Sequence, residues 1–449
     1  MIRNRNTVQQ TISANPAQIR RIYFAISGLY TLSASLIWGV NTLFLLDAGL
    51  NIFQVFVVNA FFSIGMVVFE VPTGVLADTR GRRTSFLLST LVLAAGTLGY
   101  VFGARLPGNL PALGVMSLVM GLGFTFYSGA VEAWLVDALK AGGYAGSLDQ
   151  IFARGSFISG AAMLAGTVSG GFLGDLNLAI PYLLRAALLI LLFVLAYFKM
   201  QEIGYQPKAI MLRAIPREMK GLAQSSLNYG WKQPGLRLLM LVNFIQTGFL
   251  FWGFYAWPPY FLGLLGQEAV WVSGVLAALI SLATMAGNGL VDWFARFCGK
   301  RTTLLLWPAA INTAAIIGVG LVKSFWPAAG LFLVSMAALG VITPVRQAYL
   351  HELIPSEQRA AIVSFDSMIG NSGGILGQTG LGYLSQVSSI ASGYVAGGMA
   401  TVVVLPILIA LRRLGEPADW IVGEAGKQSA CAAQGIPSIS GVDTVTSSE

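Results

Sequence analysis

The sequence predicts an all-α membrane protein in which twelve transmembrane helices form two six-helix bundles, and three observations predict it. Of the 449 residues, 55% are hydrophobic and only 10% are charged, far more apolar surface than a water-soluble core of this length uses. Uncharged or nearly uncharged stretches long enough to cross a bilayer core of ~30 Å recur from Ile22 to the pair Arg412-Arg413. Short patterns in the second half of the chain also repeat patterns in the first. The continuous apolarity excludes a β-barrel, whose strands would alternate.

The spans follow in order. The first, 22–46, comes after Arg20-Arg21 and a polar start, residues 1–21, that lacks a small-residue cleavage site, so it is expected to be retained rather than removed as a signal peptide. The second, 51–77, stops at Asp78; the third, 84–104, lies between Arg83 and Arg105; the fourth, 111–139, stops at Lys140. The fifth, 148–175, and the sixth, 178–199, are divided around Asn177, and the sixth stops at Lys199. Residues 201–234 then interrupt the spans with five basic residues, several prolines and several glycines, and read as a linker between halves 22–200 and 235–413. The seventh span is 236–264, the eighth 268–295, the ninth 302–322 and the tenth 325–353. Ser367 to Leu411 carries no charge and would measure roughly 68 Å as one helix, more than twice the membrane core. It must fold back once, and the Gly382 to Ser392 region supplies the turn between an eleventh span, 360–385, and a twelfth, 390–411. Residues 414–449 turn polar without periodicity, and a disordered tail is expected.

Arg3, Arg5, Arg20, Arg21, Arg80, Arg82, Arg83, Lys140, the 199–237 run, Arg296, Lys300, Arg301, Arg359, Arg412 and Arg413 fall on one side of this topology. Only Arg105 and Lys323 lie in loops opposite. By the positive-inside rule, both termini face the cytoplasm of a plasma membrane, the inner membrane in a bacterium. The net charge of +8 follows from this topology and from anionic inner-leaflet lipid, and needs no nucleic acid. Cys298 and Cys431 both map to the inner side and form no disulfide framework.

Three repeats support two halves. Ala133 to Asp137 is matched by Ala348 to Glu352, and Ser156 to Ser159 by Ser364 to Ser367. More weakly, Leu76-Ala77-Asp78 with Gly81-Arg82-Arg83 is matched by Leu290-Val291-Asp292 with Gly299-Lys300-Arg301. Two such repeats suit a rocker around a site near the membrane midplane.

Gly74-x-Leu76-x-Asp78-x-x-Gly81-Arg82-Arg83 resembles the signature between the second and third helices of the major facilitator superfamily, and with the repeats the resemblance covers about residues 20 to 413. Ser128 to Asp137 further resembles the fourth helix of drug:proton antiporters of the macrolide-efflux-like branch. Where antiporters carry Gly-Pro-x-x-Gly-Gly in the fifth helix, this chain has Gly166-Thr167-Val168-Ser169-Gly170-Gly171, without the proline. The superfamily resemblance implies a transporter with alternating access. It assigns Gly74, Asp78, Gly81, Arg82 and Arg83 to a gating motif, with Asp78 facing the eleventh helix and Arg82 pairing with an acid at the foot of the fourth, here Asp137.

Other candidates come from the residues themselves. Glu70 lies about 12 Å deeper than Asp78, and Glu132 about 8 Å above Asp137, by helical rise. Ionised groups at such depth are costly when alone, which makes both carboxylates candidates for proton coupling or for structural hydrogen bonding. Arg154 and Arg346 are buried-charge candidates, with Arg346 expected to bind an anion or to neutralise Glu70 or Glu132. Asp366 is expected to be a first-turn or interface residue, Arg185 is a further arginine near a span, and His351 is expected at the surface. Tyr30, Trp38 and Asn41 share a face of the first helix. Gln246, Trp252 and Tyr255 belong to an aromatic stretch of the seventh that precedes an expected break at Pro258-Pro259. Such faces suit a flat amphiphilic solute, and equally an interfacial aromatic belt or lipid-facing packing.

The leading expectation is proton-coupled efflux of small amphiphilic molecules or drugs by a monomer in the lipid bilayer. The alternatives are proton-coupled or facilitated uptake of a nutrient or metabolite and, more remotely, a non-transporting receptor or scaffold. No Ser-His-Asp, metal-ligand or nucleotide-binding spacing supports an enzyme, a metal or another cofactor.

Overall fold

The structure is a computed structural model that describes residues 15–205, 230–266, 269–354 and 359–421. The described residues form helices and turns, with one isolated bridge between Lys300 and Trp420.

Labelled by membrane crossing, α1 runs Pro16–Ser35 and resumes as Asn41–Asp47, followed by α2 (Ile52–Arg80) and α3 (Arg82–Gly103). Two segments, Leu110–Tyr127 and Ala130–Ala141, make α4; α5 is Leu148–Leu176 and α6 is Ile180–Lys199. The second half comprises α7 (Pro234–Leu265), α8 (Val270–Ala295), α9 (Arg301–Leu321), α10 (Phe325–Leu353) and α11 (Arg359–Val387). It closes with α12, which is Ile390–Val402 followed by Val404–Arg413. Ten described helices are long and apolar enough to cross a membrane. The other two crossings are α1, which is interrupted, and α11, whose apolarity is diluted by residues such as Gly370, Asn371, Ser372, Gly373, Gly374 and Gln378.

Several boundaries differ from the sequence reading. Helix α1 starts at Pro16 rather than 22, because the Asn15 side chain accepts from the Ala17 N–H and Pro16 sits where no donor is needed. It is broken at 36–40, and α4 is broken at Ser128-Gly129, where Gly129 takes φ 72°. Pro258-Pro259 does not break α7, which runs through both; neighbouring helices shield the backbone groups that prolines free. The turn before α12 is only Ser388-Ser389, and Ser389 caps the helix through the Ser392 N–H. Residues 414–421 are folded rather than disordered, for a reason given below. Arg3, Arg5, Cys431, residues 206–229 of the expected linker and 422–449 of the expected tail lie outside the described residues.

The packing repeats. In the first half, α2 and α3 pack on α4, α1 on α5 and α6, and α3 on α6; in the second, α8 and α9 pack on α10, α7 on α11 and α12, and α9 on α12. Each contact in one half has its counterpart six helices later. Contacts between the halves obey the same symmetry, α5 with α8 and α11 with α2, while α1 meets α7. One apolar core lies within the first half and two within the second, the latter reaching Phe56 of the first. Large apolar side chains such as Phe157, Phe198 and Trp326 stand exposed on the outside, as lipid-facing residues do.

Candidate functional site

The two halves touch on one face and separate on the other. Call the face that carries Arg80, Lys140, Lys199 and Arg413 the basic face. The contacts that join the halves lie mostly toward the opposite one. There the Asp175 carboxylate at the end of α5 accepts from the Val270 N–H at the start of α8, 3.0 Å away. The symmetry-related link runs from the Phe53 N–H at the start of α2 to Gln386 Oε1 at the end of α11, 3.4 Å. In both, a side chain at one helix end supplies the acceptor that an exposed helix N-terminus lacks. Between these links the backbones close directly: a Cβ on Gly171 of α5 would lie 2.6 Å from Gly274 Cα of α8. The other glycines of the α5 motif serve the half itself, Gly166 lying against Leu32 and Ser35 and Gly170 against Leu36 of α1. At the interruption of α1, Thr42 donates to the Tyr255 carbonyl of α7 at 2.6 Å.

Toward the basic face the halves part around a cavity of about 760 Å3, walled by α2, α4, α7, α10 and α11. Glu70, Gln246, Tyr255, Arg346, His351 and Asp366 are among its lining residues. Glu70 is half-buried, and its carboxylate makes no ion pair or hydrogen bond among the described residues. Arg346 is neither an unpaired anion site nor the partner of Glu70 or Glu132. Its Nη1 and Nη2 grip the Asp366 carboxylate at 3.0 Å in a two-pronged pair on which both side chains are buried. Asn243 of α7 donates to the Asp366 carbonyl at 3.0 Å, tying the pair to a third helix. Asp366 is thus an interface residue, as expected, and also a cavity wall. The sequence signal was available, because Asp366 is the one acid of α11 and stands two turns into it from Arg359, so that it needs a cation within reach.

A second, drier cavity of about 340 Å3 adjoins, lined by Trp38, Phe249, Phe254 and Trp257 among others. Other candidates fall elsewhere. Trp252 is fully buried among Phe56, Phe249 and Tyr394 and is core. Asn41 is buried in a network in which it donates to Asn59 Oδ1 and accepts from the Tyr182 hydroxyl, each at 2.9 Å. Tyr30 is buried face to face with Tyr127, ring centroids 3.5 Å apart. The break in α1 removes the common face that unbroken helical spacing gave Tyr30, Trp38 and Asn41. Glu132 is exposed in a cleft of about 140 Å3 with Tyr23 and Tyr127, and Arg154 is exposed rather than buried.

The residues that the resemblance assigns to a gating motif make the following contacts within the first half. Arg82 pairs with Asp78 at 2.7 Å, one turn back, and no ion pair joins Arg82 to Asp137 among the described residues. Arg83 donates to the Tyr197 carbonyl at 2.7 Å and lies over its ring. Gly81 ends α2 at φ 103°, and the Glu202 carboxylate occupies the place a Cβ would take. Glu202 is the residue that sequence reasoning missed. It accepts from the backbone N–H groups of Arg82 (3.2 Å) and Arg83 (2.9 Å), the first turn of α3. Burial pushes its carboxyl up, against the pull of those donors and of the two guanidinium groups. Its segment is held under the bundle by Trp134 Nε1 donating to the Gln201 carbonyl (2.7 Å) and the Tyr205 hydroxyl donating to the Asp78 carbonyl (2.6 Å). Gly74 has open space where a Cβ would stand, so the close helix approach expected there is absent with the halves apart on this face.

The second half repeats the device. Asp419 accepts from the Thr302 N–H (2.7 Å) and hydroxyl (2.8 Å) in the first turn of α9, and Arg301 donates to the carbonyls of Ala418 and Trp420. Lys300 lies 4.5 Å over the Trp420 ring. Residues 414–421 are ordered because α9 needs these acceptors. In this half a base does pair with the foot of the next helix, Arg301 to Glu352 at 3.5 Å, a pair that the sequence reading expects only between Arg82 and Asp137.

The family model of the Major Facilitator Superfamily matches residues 23–316. The chain is 22% identical over 394 residues to the hexuronate transporter of Bacillus subtilis (strain 168), covering 83% of this chain and 89% of that one. It is 26% identical over 362 residues to the tetracycline resistance protein, class G, of Vibrio anguillarum, covering 77% and 85%. Among solved structures, the nucleoside transporter NupG superposes with a TM-score of 0.70 at 12% identity, covering 88% of this chain and 99% of that one.

Proposed function

The chain belongs to the Major Facilitator Superfamily, and from that premise we propose that it carries a small amphiphilic solute across a plasma membrane by alternating access, standing here open to the cytoplasm. The observation that carries this reading is a cavity of about 760 Å3 between two symmetry-related halves that are joined on one face and parted on the other. The basic face is taken as cytoplasmic by the charge rule. The helix-end links Asp175–Val270 and Phe53–Gln386 then form the outer gate, and rocking about α1, α5, α7 and α8 opens it. Closure of the inner face would bring α11 toward Gly74 and Asp78 of the gating motif.

Proton coupling is assigned to Glu70, which lines the cavity without a partner among the described residues, whereas Asp366 is held by Arg346. Net export is the preferred direction, supported by the relative named a tetracycline resistance protein. The relatives named for hexuronate and nucleoside transport support the second reading, uptake of a polar metabolite. The test is purified monomer in liposomes with an imposed pH gradient. Flux of a fluorescent amphiphile that follows the gradient and fails in E70Q supports coupled export. Accumulation in the opposite sense supports uptake, and uphill flux without any gradient refutes the coupling.

A further inference from the structure

One buried cation of the first half has no partner among the described residues. Arg185, in the second turn of α6, keeps 8% of its exposure. Its Nε is sealed from solvent without an acceptor, and none of its nitrogens makes a hydrogen bond or ion pair among the described residues. Its electrostatic neighbours are Tyr30, Tyr182 and Tyr255, three phenols and no carboxylate. The Tyr182 hydroxyl is engaged with Asn41, whereas those of Tyr30 and Tyr255 make no hydrogen bond among the described residues. Of this cluster only Tyr255 lines the large cavity; its carbonyl is tied to Thr42 at the break of α1, which sets the cluster toward the closed end.

The acids that could balance Arg185 are elsewhere. Asp366 is bound by Arg346. Glu70 stands eighteen residues into α2 and Arg185 five residues into α6, both counted from the same face, which separates them by ~20 Å along the membrane normal. A buried cation in a membrane bundle is retained where something neutralises it in the working cycle, and a guanidinium flanked by free hydroxyls offers the planar donor set that carboxylates and phosphates take.

We propose that Arg185, with the hydroxyls of Tyr30 and Tyr255, is the anion subsite of the transported solute, so that the solute carries a carboxylate or phosphate on an apolar body that rests against Phe254 and Trp38. This rests on the transporter reading and narrows it to acidic substrates. An acid entering the cavity meets Glu70 near the mouth, which repels it unless protonated, and Arg185 at the far end, which holds it. Proton entry and anion entry are thereby linked by charge alone.

The experiment uses the full chain purified in lipid-free detergent, which removes anionic lipid headgroups as competitors. Thermal shifts are measured with matched pairs: benzoate and benzamide, 2-naphthoate and 2-naphthamide, phenyl phosphate and phenol. At least one acid is expected to raise the melting temperature while its neutral partner does not. R185Q should weaken that acid at least tenfold, and R185K, which keeps charge but loses the fork, by a smaller factor. If R185Q does not fold, R185K and Y255F carry the comparison, each expected to weaken the acid without lowering the ligand-free melting temperature. The proposal falls if no acid of the panel binds, if neutral partners bind equally, or if the variants keep full affinity. It also falls if an anionic lipid added back abolishes the acid's shift in wild type and R185Q alike. Flux of a neutral dye by R185Q liposomes would sink the anion subsite and leave the transporter intact; absence of flux for every solute would sink the transporter reading itself.

Discussion

Arg346 and Asp366 form a buried two-pronged ion pair, with three nitrogen-to-oxygen approaches at 3.0 Å, across the wall that α10 and α11 present to the central cavity. Removing either partner leaves a buried charge uncompensated, at a cost of about 3 to 5 kcal/mol, while removing both is far milder. R346Q and D366N should each lower the melting temperature in detergent, and the double variant should recover most of it. If the double variant melts normally yet fails in liposome flux, the pair acts in transport; if it transports normally, the pair is scaffolding.

Gly171 and Gly274 bring α5 and α8 to backbone contact on the closed face. G171L cannot be accommodated there without parting the helices, so it should shift the population toward the state open on the opposite side. Spin labels on the ends of α5 and α8 report this as a longer distance in the variant, and an unchanged distribution would contradict the gate assignment.

Glu202 supplies acceptors to the first two N–H groups of α3. E202A should destabilise by about 1 to 2 kcal/mol, the range of a lost helix cap, and E202Q, which keeps one acceptor, by less. Desolvation raises the Glu202 carboxyl above the usual carboxylate range, so its folded-state value exceeds that of the unfolded chain. Its linked contribution is therefore complete below the ordinary glutamate value of about 4.3 and is lost as pH rises through the raised one. The difference in melting temperature between wild type and E202Q, followed from pH 4 to 8, should move in the variant's favour as pH increases.

Asp419 is 1% exposed and caps α9, which gives truncation a sharp outcome. Ending the chain after residue 414 should cost about 2 to 3 kcal/mol more than ending it after 421, and D419A should cost about as much against the full chain, by orphaning the Thr302 donors. Equal stability of the two truncations would show that the segment contributes nothing.

Trp252 separates core from cavity wall on α7. W252A should cost about 3 to 5 kcal/mol, as large-to-small core changes do, whereas Q246A, on the cavity side, should leave stability unchanged and alter solute affinity. A stable W252A with altered affinity would return Trp252 to the binding surface.

Much of the scaffold was readable because membrane crossing imposes a strong local rule. Stretches of some twenty apolar residues, and the arginines that end them, can be counted without knowing what they touch. The break in α1 was not legible, since Leu36 to Val40 is as apolar as its neighbours and the interruption is stabilised by distant partners, among them Tyr255 through Thr42. The same holds for the partner of Arg346. The sequence reading sets Arg346 against an anion, Glu70 or Glu132 and leaves Asp366 out, because which acid lies within reach is decided only when α10 and α11 pack. Glu202 and Asp419 escaped notice because they sit in short polar segments whose role is set by the helix ends above them.

By itself, the sequence determined the membrane-spanning architecture, the twofold repeat and the membership that its Gly74 to Arg83 signature foretold, because hydropathy and short motifs are local properties of the chain. Only the tertiary structure decided which face is open, which carboxylate answers which guanidinium, and that Arg185 answers none among the described residues. Those are matters of distance between residues far apart in sequence, and electrostatic pairing inside a low-dielectric bundle is fixed by a few ångströms of packing that no linear pattern encodes.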